Sequence, residues 1–163
     1  MKKIYIVRHA KSSWSDMGLS DFDRPLNKRG KRDAPVMGGK CRELGYKPDI
    51  MISSSANRAA TTAKIFRKAL GVDKERLHFT EALYHAPEDT YIEQCYGLDE
   101  DIESVMLFGH NPGITYLANS VTSRYIDNVP TCGVLIIESS TDDWTALDFS
   151  NCKLMNYIYP KMY

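Results

Sequence analysis

The chain is 163 residues long and carries 21 Lys and Arg against 21 Asp and Glu, a formal net charge of zero. That length suits one compact domain, 1–163, which can bury enough surface to fold without a metal or disulfide staple. The balanced charge offers no whole-molecule field for nucleic acid or an anionic membrane, and no apolar stretch is long enough to span a bilayer. Met1-Lys2-Lys3 leads straight into a strand-like run rather than into the apolar segment of a secretion signal. Cys41, Cys95, Cys132 and Cys152 are widely spaced, with no C-x-x-C, and read as reduced, buried small hydrophobes. The expectation is a soluble cytoplasmic protein with no nucleic-acid or membrane partner; nothing here bears on oligomeric state.

Ile4-Tyr5-Ile6-Val7 is short, β-branched and aromatic and predicts a buried strand. Residues 10–26 carry no sustained period, contain Gly18, Ser20 and Pro25, and read as a loop. Asn27 is a candidate cap for a helix to about Leu44, with Gly45 as its stop. Pro35 leaves two versions open, a kinked helix or a later start capped by Asp33. Asp49–Ser53 predicts a second strand. Ser54 or Ser55 would then cap a helix with Ala59, Ala63, Phe66 and Leu70 on one face and Gly71 at its end. Leu77–Phe79 is a candidate third strand, and 88–98 a helix with Tyr91, Ile92 and Cys95 together. Ser104–Phe108 is a strand broken by Gly109-His110-Asn111-Pro112-Gly113, and Ile114, Leu117, Ala118 and Val121 mark the next helix. Cys132–Glu138 and Trp144–Phe149 predict two antiparallel strands joined by a turn at 139–143. Strands alternating with helices imply an α/β fold, a three-layer αβα sandwich with a mostly parallel central sheet and an antiparallel edge.

Ligands of open α/β sheets sit beyond the carboxyl ends of the strands. Three such ends carry unusual residues: Arg8-His9, then Ser53–Arg58, then Gly109-His110-Asn111. Singly, each reads as surface decoration, a cap or a tight turn. At one rim they would converge, and their chemistry suits phosphate. A guanidinium is a permanent, planar fork of donors that matches phosphate oxygens in pairs. Arg58 would lie in the first turn of its helix, where free N–H groups also favour an anion. Two imidazoles suggest transfer rather than passive binding, since a neutral imidazole nitrogen can attack phosphorus. His78 reads as structural, and His85 is a candidate border residue of the pocket. No H-x-x-x-H or Cys/His cluster offers a metal site, and neither G-x-G-x-x-G nor a P-loop is present.

Arg8-His9-Ala10, the segment Ser54-Ser55-Ala56-Asn57-Arg58-Ala59-Ala60-Thr61-Thr62-Ala63, and Gly109-His110-Asn111-Pro112 together resemble the histidine phosphatase superfamily. Asp23-Arg24-Pro25-Leu26, the short length and Asn151-Cys152-Lys153-Leu154 are similar to its SixA-type phosphohistidine phosphatase branch. The resemblance runs from Ile4 to about Leu154 and implies a phosphoglycerate mutase-like fold. It implies His9 as nucleophile, with Arg8, Arg58 and His110 forming the phosphate pocket. Asn111, beside His110, and Ser15 are further candidates for phosphate or substrate binding. Ala10 stands where the motif usually has glycine, and Ser15 follows Trp14 where many relatives have asparagine.

Larger members take a general acid from mid-chain, and Glu81 in Phe79-Thr80-Glu81-Ala82-Leu83 is the nearby match. It is either the acid for an ester substrate or a rim residue, because a protonated imidazole leaving group needs little help whereas an alkoxide needs a proton donor. The expected activity is metal- and cofactor-independent phosphatase chemistry through a phosphohistidine. The mutases and sugar bisphosphatases of the family carry lid insertions for which this chain has no room. An open pocket favours a phosphohistidine protein as substrate. The alternatives are a small phosphoester, or a non-catalytic phosphoprotein-binding module.

Overall fold

The computed structural model describes all 163 residues. Its first strand, β1 (Lys3–Arg8), is followed by α1 (Lys28–Glu43), β2 (Ile50–Ser54), α2 (Asn57–Leu70) and β3 (Leu77–Thr80). Then come α3 (Glu88–Glu93), β4 (Ser104–Gly109), α4 (Gly113–Ser120), β5 (Val134–Ser139) and β6 (Cys152–Ile158). The six strands form one sheet in the order β3-β2-β4-β1-β5-β6. β1 to β4 are parallel, β5 runs against β1, and the edge strand β6 runs against β5.

Alternation along β1 builds both faces. Ile4 and Ile6 point into one core with Tyr91, Leu107, Ile114 and Trp144. Tyr5 and Val7 point into the other with Met37, Met51, Phe66 and Phe108. Period-2 side chains on a buried strand require cover on both sides. α1 and α2 supply it on one face, α3 and α4 on the other. No helix is long and apolar enough to cross a membrane, and all four cysteines are free and buried.

Asn27 caps α1 by accepting from the Gly30 N–H at 2.9 Å, and Pro35 sits inside a helix that continues to Glu43, so the later start at Asp33 does not occur. Pro35 and Lys31 are both exposed, so the carbonyl that Pro35 leaves unbonded faces solvent. α2 starts one residue later than a Ser55 cap and two later than a Ser54 cap would give, behind Ala56, because Ser54 finishes β2 and sets its hydroxyl against His110. α3 ends at Glu93 and passes into turns.

The larger correction concerns Trp144–Phe149, which is not a strand. It forms two 3-10 turns, Trp144–Ala146 and Phe149–Asn151. Asp143 accepts from the Thr145 N–H at 2.9 Å and Asp148 from the Ser150 N–H at 2.7 Å. These local bonds give the backbone an alternative to a ladder. Trp144 and Leu147, three residues apart, are still both buried. The last strand begins only at Cys152.

Candidate active site

Arg8 ends β1 directly opposite Gly109 at the end of β4. The next residues, His9 and His110, therefore leave the sheet side by side, with ring centroids 5.2 Å apart. The crowding explains the glycine. A Cβ at 109 would overlap the Tyr91 hydroxyl, which itself accepts from the His110 N–H at 3.1 Å. Beyond the turn, Asn111 Oδ1 accepts from the Thr115 N–H and hydroxyl and so anchors the start of α4.

His9 is buried, and its Nδ1 lies 2.7 Å from the Ala10 carbonyl. A carbonyl can only accept, so Nδ1 carries the proton and Nε2 keeps its lone pair. Burial, and then the charges of Arg58, Arg8 and Arg24, push the ring down to about 3, against the pull of the Ala10 carbonyl. Ala10 is itself fixed: its N–H donates to Thr62 Oγ1 at 3.0 Å, and that hydroxyl donates to the Arg58 carbonyl at 2.7 Å. The alanine methyl is fully buried there.

His110 Nε2 lies 2.8 Å from Ser54 Oγ, which ties the ends of β4 and β2 together. Burial, then His9 and Arg58, push its ring down to about 2. Arg8 Nη1 donates to the Val129 carbonyl at 2.9 Å. That carbonyl also accepts from Asn111 Nδ2 at 3.1 Å. Arg8 Nε and His110 Nδ1 are the two buried side-chain polar atoms with no partner. Burial and the nearby Arg58 also lower the Arg8 guanidinium. Buried polar atoms without partners are costly. Here they lie beside two guanidiniums, an arrangement that a tetrahedral oxyanion satisfies.

Arg58 is almost fully buried and donates through Nη1 to the Asp21 carbonyl at 2.6 Å and through Nη2 to Asp21 Oδ2 at 3.0 Å. The same carboxylate takes Arg24 Nη1 at 2.9 Å, the Tyr84 hydroxyl at 2.6 Å and His85 Nε2 at 3.2 Å. Desolvation raises the Asp21 carboxyl, but its bonds from Tyr84, Arg24 and Arg58 outweigh that and hold it well below the usual carboxylate range. Arg24 is clamped in turn by Ser12 Oγ, the Ser13 carbonyl and the Trp14 ring, 3.2 Å from its centroid.

The structure thus brings Arg8, His9, Arg58 and His110 together at one rim. It places the other candidates differently. Ser15 is exposed, and its hydroxyl pairs with Ser13 Oγ at 2.7 Å. Asn111 spends both ends of its amide on backbone and neighbouring side chains. Glu81 is exposed at the start of a 3-10 turn, and its carboxylate makes no hydrogen bond or ion pair. Asp21 and Tyr84 are the members that sequence reasoning missed. Only the Asp23-Arg24-Pro25-Leu26 stretch lay near the first, and no periodicity marks a lone loop carboxylate. No three His, Cys, Asp or Glu side chains gather as a metal-ligand set.

The chain is similar to known proteins over nearly its whole length. A family model described as the histidine phosphatase superfamily (branch 1) matches residues 4–84. A chloroplast protein of Arabidopsis thaliana is 29% identical over 151 residues, covering 88% of this chain and 69% of the relative. A Mycobacterium tuberculosis protein is 28% identical over 165 residues, covering 95% of this chain and 100% of its own. The crystal structure of the SixA protein of Agrobacterium tumefaciens superposes with a TM-score of 0.76 at 26% identity, over 98% of both chains. The protein histidine phosphatase SixA complexed with tungstate shares the fold, with a TM-score of 0.81 at 19% identity over 98% of both chains.

Proposed function

This chain belongs to the histidine phosphatase superfamily, and we propose that it is a single-domain phosphatase that works through a phosphohistidine at His9. The observation that carries the reading is the Nδ1–H···O=C bond from His9 to Ala10. It fixes the tautomer in which Nε2 is a nucleophile, and burial keeps the ring neutral. Nε2 attacks phosphorus, the bond to the leaving group breaks, and water then hydrolyses the phosphohistidine to inorganic phosphate. Arg8, Arg58 and His110 hold the transferring oxygens, and the guanidiniums spread the charge that develops on them. Asn111 and Asp21 position Arg8 and Arg58 through the Val129 carbonyl and the salt bridge.

We take a phosphohistidine side chain on a protein as the substrate. The support is a groove of about 960 Å³ at the same rim, lined by Tyr125, Tyr157, Tyr159 and Tyr163 with Arg29 and Arg32. Segment 125–131 forms one wall of it and contains Val129, whose carbonyl holds Arg8. A second surface beside the pocket, rich in tyrosine and arginine side chains, suits chain flanking a phosphorylated residue. A panel containing a phosphohistidine protein, phosphate monoesters and an aryl phosphate tests this. The protein substrate should turn over fastest, activity should persist in a chelator, and acid-labile phosphate should be trapped on the chain. His9→Ala should lose at least ~10³-fold in kcat and all trapped label. Retained turnover in that variant would sink the mechanism. A strong preference for one small ester would sink the substrate.

A further inference from the structure

Position 85 is one of two non-glycine residues in the left-handed region, with φ of 52°. The other is Cys132, whose N–H closes onto the carbonyls of both Arg8 and His9. A side chain held there is strained, and such strain collects at working sites. At 85 it turns an imidazole into the phosphate pocket. The His85 ring lies 5.7 Å from His110 and 4.1 Å from Tyr84, with Nε2 on the Asp21 carboxylate. His110 is thus flanked by the nucleophile at 5.2 Å and by His85 at 5.7 Å. A phosphoryl group held on His110 would lie within reach of both.

We propose that His85 is the general acid for substrates with a poor leaving group, with Asp21 as its counter-charge. This rests on the phosphatase reading above. The other groups at the pocket are poorly equipped to give a proton. Glu81 is exposed and bonded to nothing. Asp21 is held ionised by its donors, and the Tyr84 hydroxyl, raised by burial and by Asp21, is committed to that carboxylate. His110 is kept neutral by burial. His85 is half exposed and so can be reprotonated from solvent. In the first step His9 Nε2 bonds to phosphorus, the P–O ester bond breaks, and the imidazolium of His85, its Nε2–H kept on Asp21, gives its Nδ1 proton to the departing oxygen, releasing an alcohol. In the second step neutral His85 takes a proton from the attacking water. The P–N bond to His9 breaks, inorganic phosphate leaves, and His85 is protonated again.

The test is a series of phosphate monoesters of graded leaving-group pKa, run on wild type, His85→Asn and His85→Gly. Glycine removes the imidazole while relieving the strained backbone, so that variant should fold at least as well. In kcat/KM, which reports the first step alone, aryl phosphates with good leaving groups should change by less than about 3-fold, while alkyl phosphates should fall by about 10²–10⁴-fold. Added imidazole should restore alkyl phosphate turnover to His85→Gly. An equal loss across the series, or none, overturns the assignment. So does a wild type that turns over phosphohistidine but no alkyl ester. Failure of the phosphatase reading looks different: no substrate is hydrolysed and His9 is never phosphorylated.

Discussion

Two buried histidines with depressed proton affinity make this site a liability in acid. His9 is held near 3 and His110 near 2, against about 6.5 for a free imidazole. Folding lowers both, so below the unfolded value the unfolded chain binds more protons than the native one. The stabilisation linked to keeping them neutral is complete above about pH 6.5 and drains away as pH falls toward the native values. Each group contributes a slope of at most about 1.4 kcal/mol per pH unit in that window. Urea midpoints measured from pH 7 to pH 4.5 should fall steadily, and His110→Gln should flatten the slope by about half. Identical slopes would show that the rings are not the source. The same low affinity means that kcat/KM should show no acid limb near pH 6.5 from His9. At this scale the motif residues were legible because strand ends and short motifs place them by local sequence alone. Asp21 was not. Its partners Arg58, Tyr84 and His85 lie 37, 63 and 64 residues away, and no local pattern encodes such a meeting.

At the level of elements, the parallel register of β1 and β4 sets the separation of His9 and His110, and the packing of α3 on the end of β4 protects it. Gly109→Ala pushes a methyl into the Tyr91 hydroxyl that holds the His110 N–H. Tyr91 is fully buried in the core beside Leu83 and Ile114 and has nowhere to retreat. Overpacking of this kind costs about 1–3 kcal/mol. The variant should lose that much stability by chemical denaturation and should also lose kcat, because His110 moves. Full activity in a destabilised variant would mean that the register alone sets the site. The strands, the capped α1 and Gly71 at φ 66° ending α2 follow from hydrophobic runs and from residues with strong backbone preferences. Trp144–Phe149 did not follow. Its mixture of aromatic and polar residues imitates an alternating strand, yet aspartate side chains curl the backbone into successive turns. Ser54 looked like a helix cap and instead supports His110. In each case a side-chain hydrogen bond outcompeted the pattern.

The whole molecule is electrically balanced, so any recognition of a macromolecule must come from local surface. The α1 start, segment 125–131 and the end of β6 meet at the rim that carries Arg8, because β5 enters the sheet there and β6 leaves it there. The lining of that groove comes from three separate stretches of chain, 29–36, 125–131 and 157–163, so no single motif announced it. Tyr125 is the cleanest probe. It is 81% exposed, so truncating it leaves the core untouched. Arg32 is a poorer one, since it is tied to Asp33. Tyrosine truncation in a docking surface costs on the order of 1–2 kcal/mol of binding, or roughly 5–30-fold in affinity. Tyr125→Ala should therefore raise KM for a phosphohistidine protein by about that factor. It should leave kcat and KM for an aryl phosphate unchanged, because that substrate reaches only the pocket of Arg8, His9, Arg58 and His110. A proportionate change on both substrates would mean that residue 125 acts through the pocket. No change on either would leave the groove without a part in binding protein substrates.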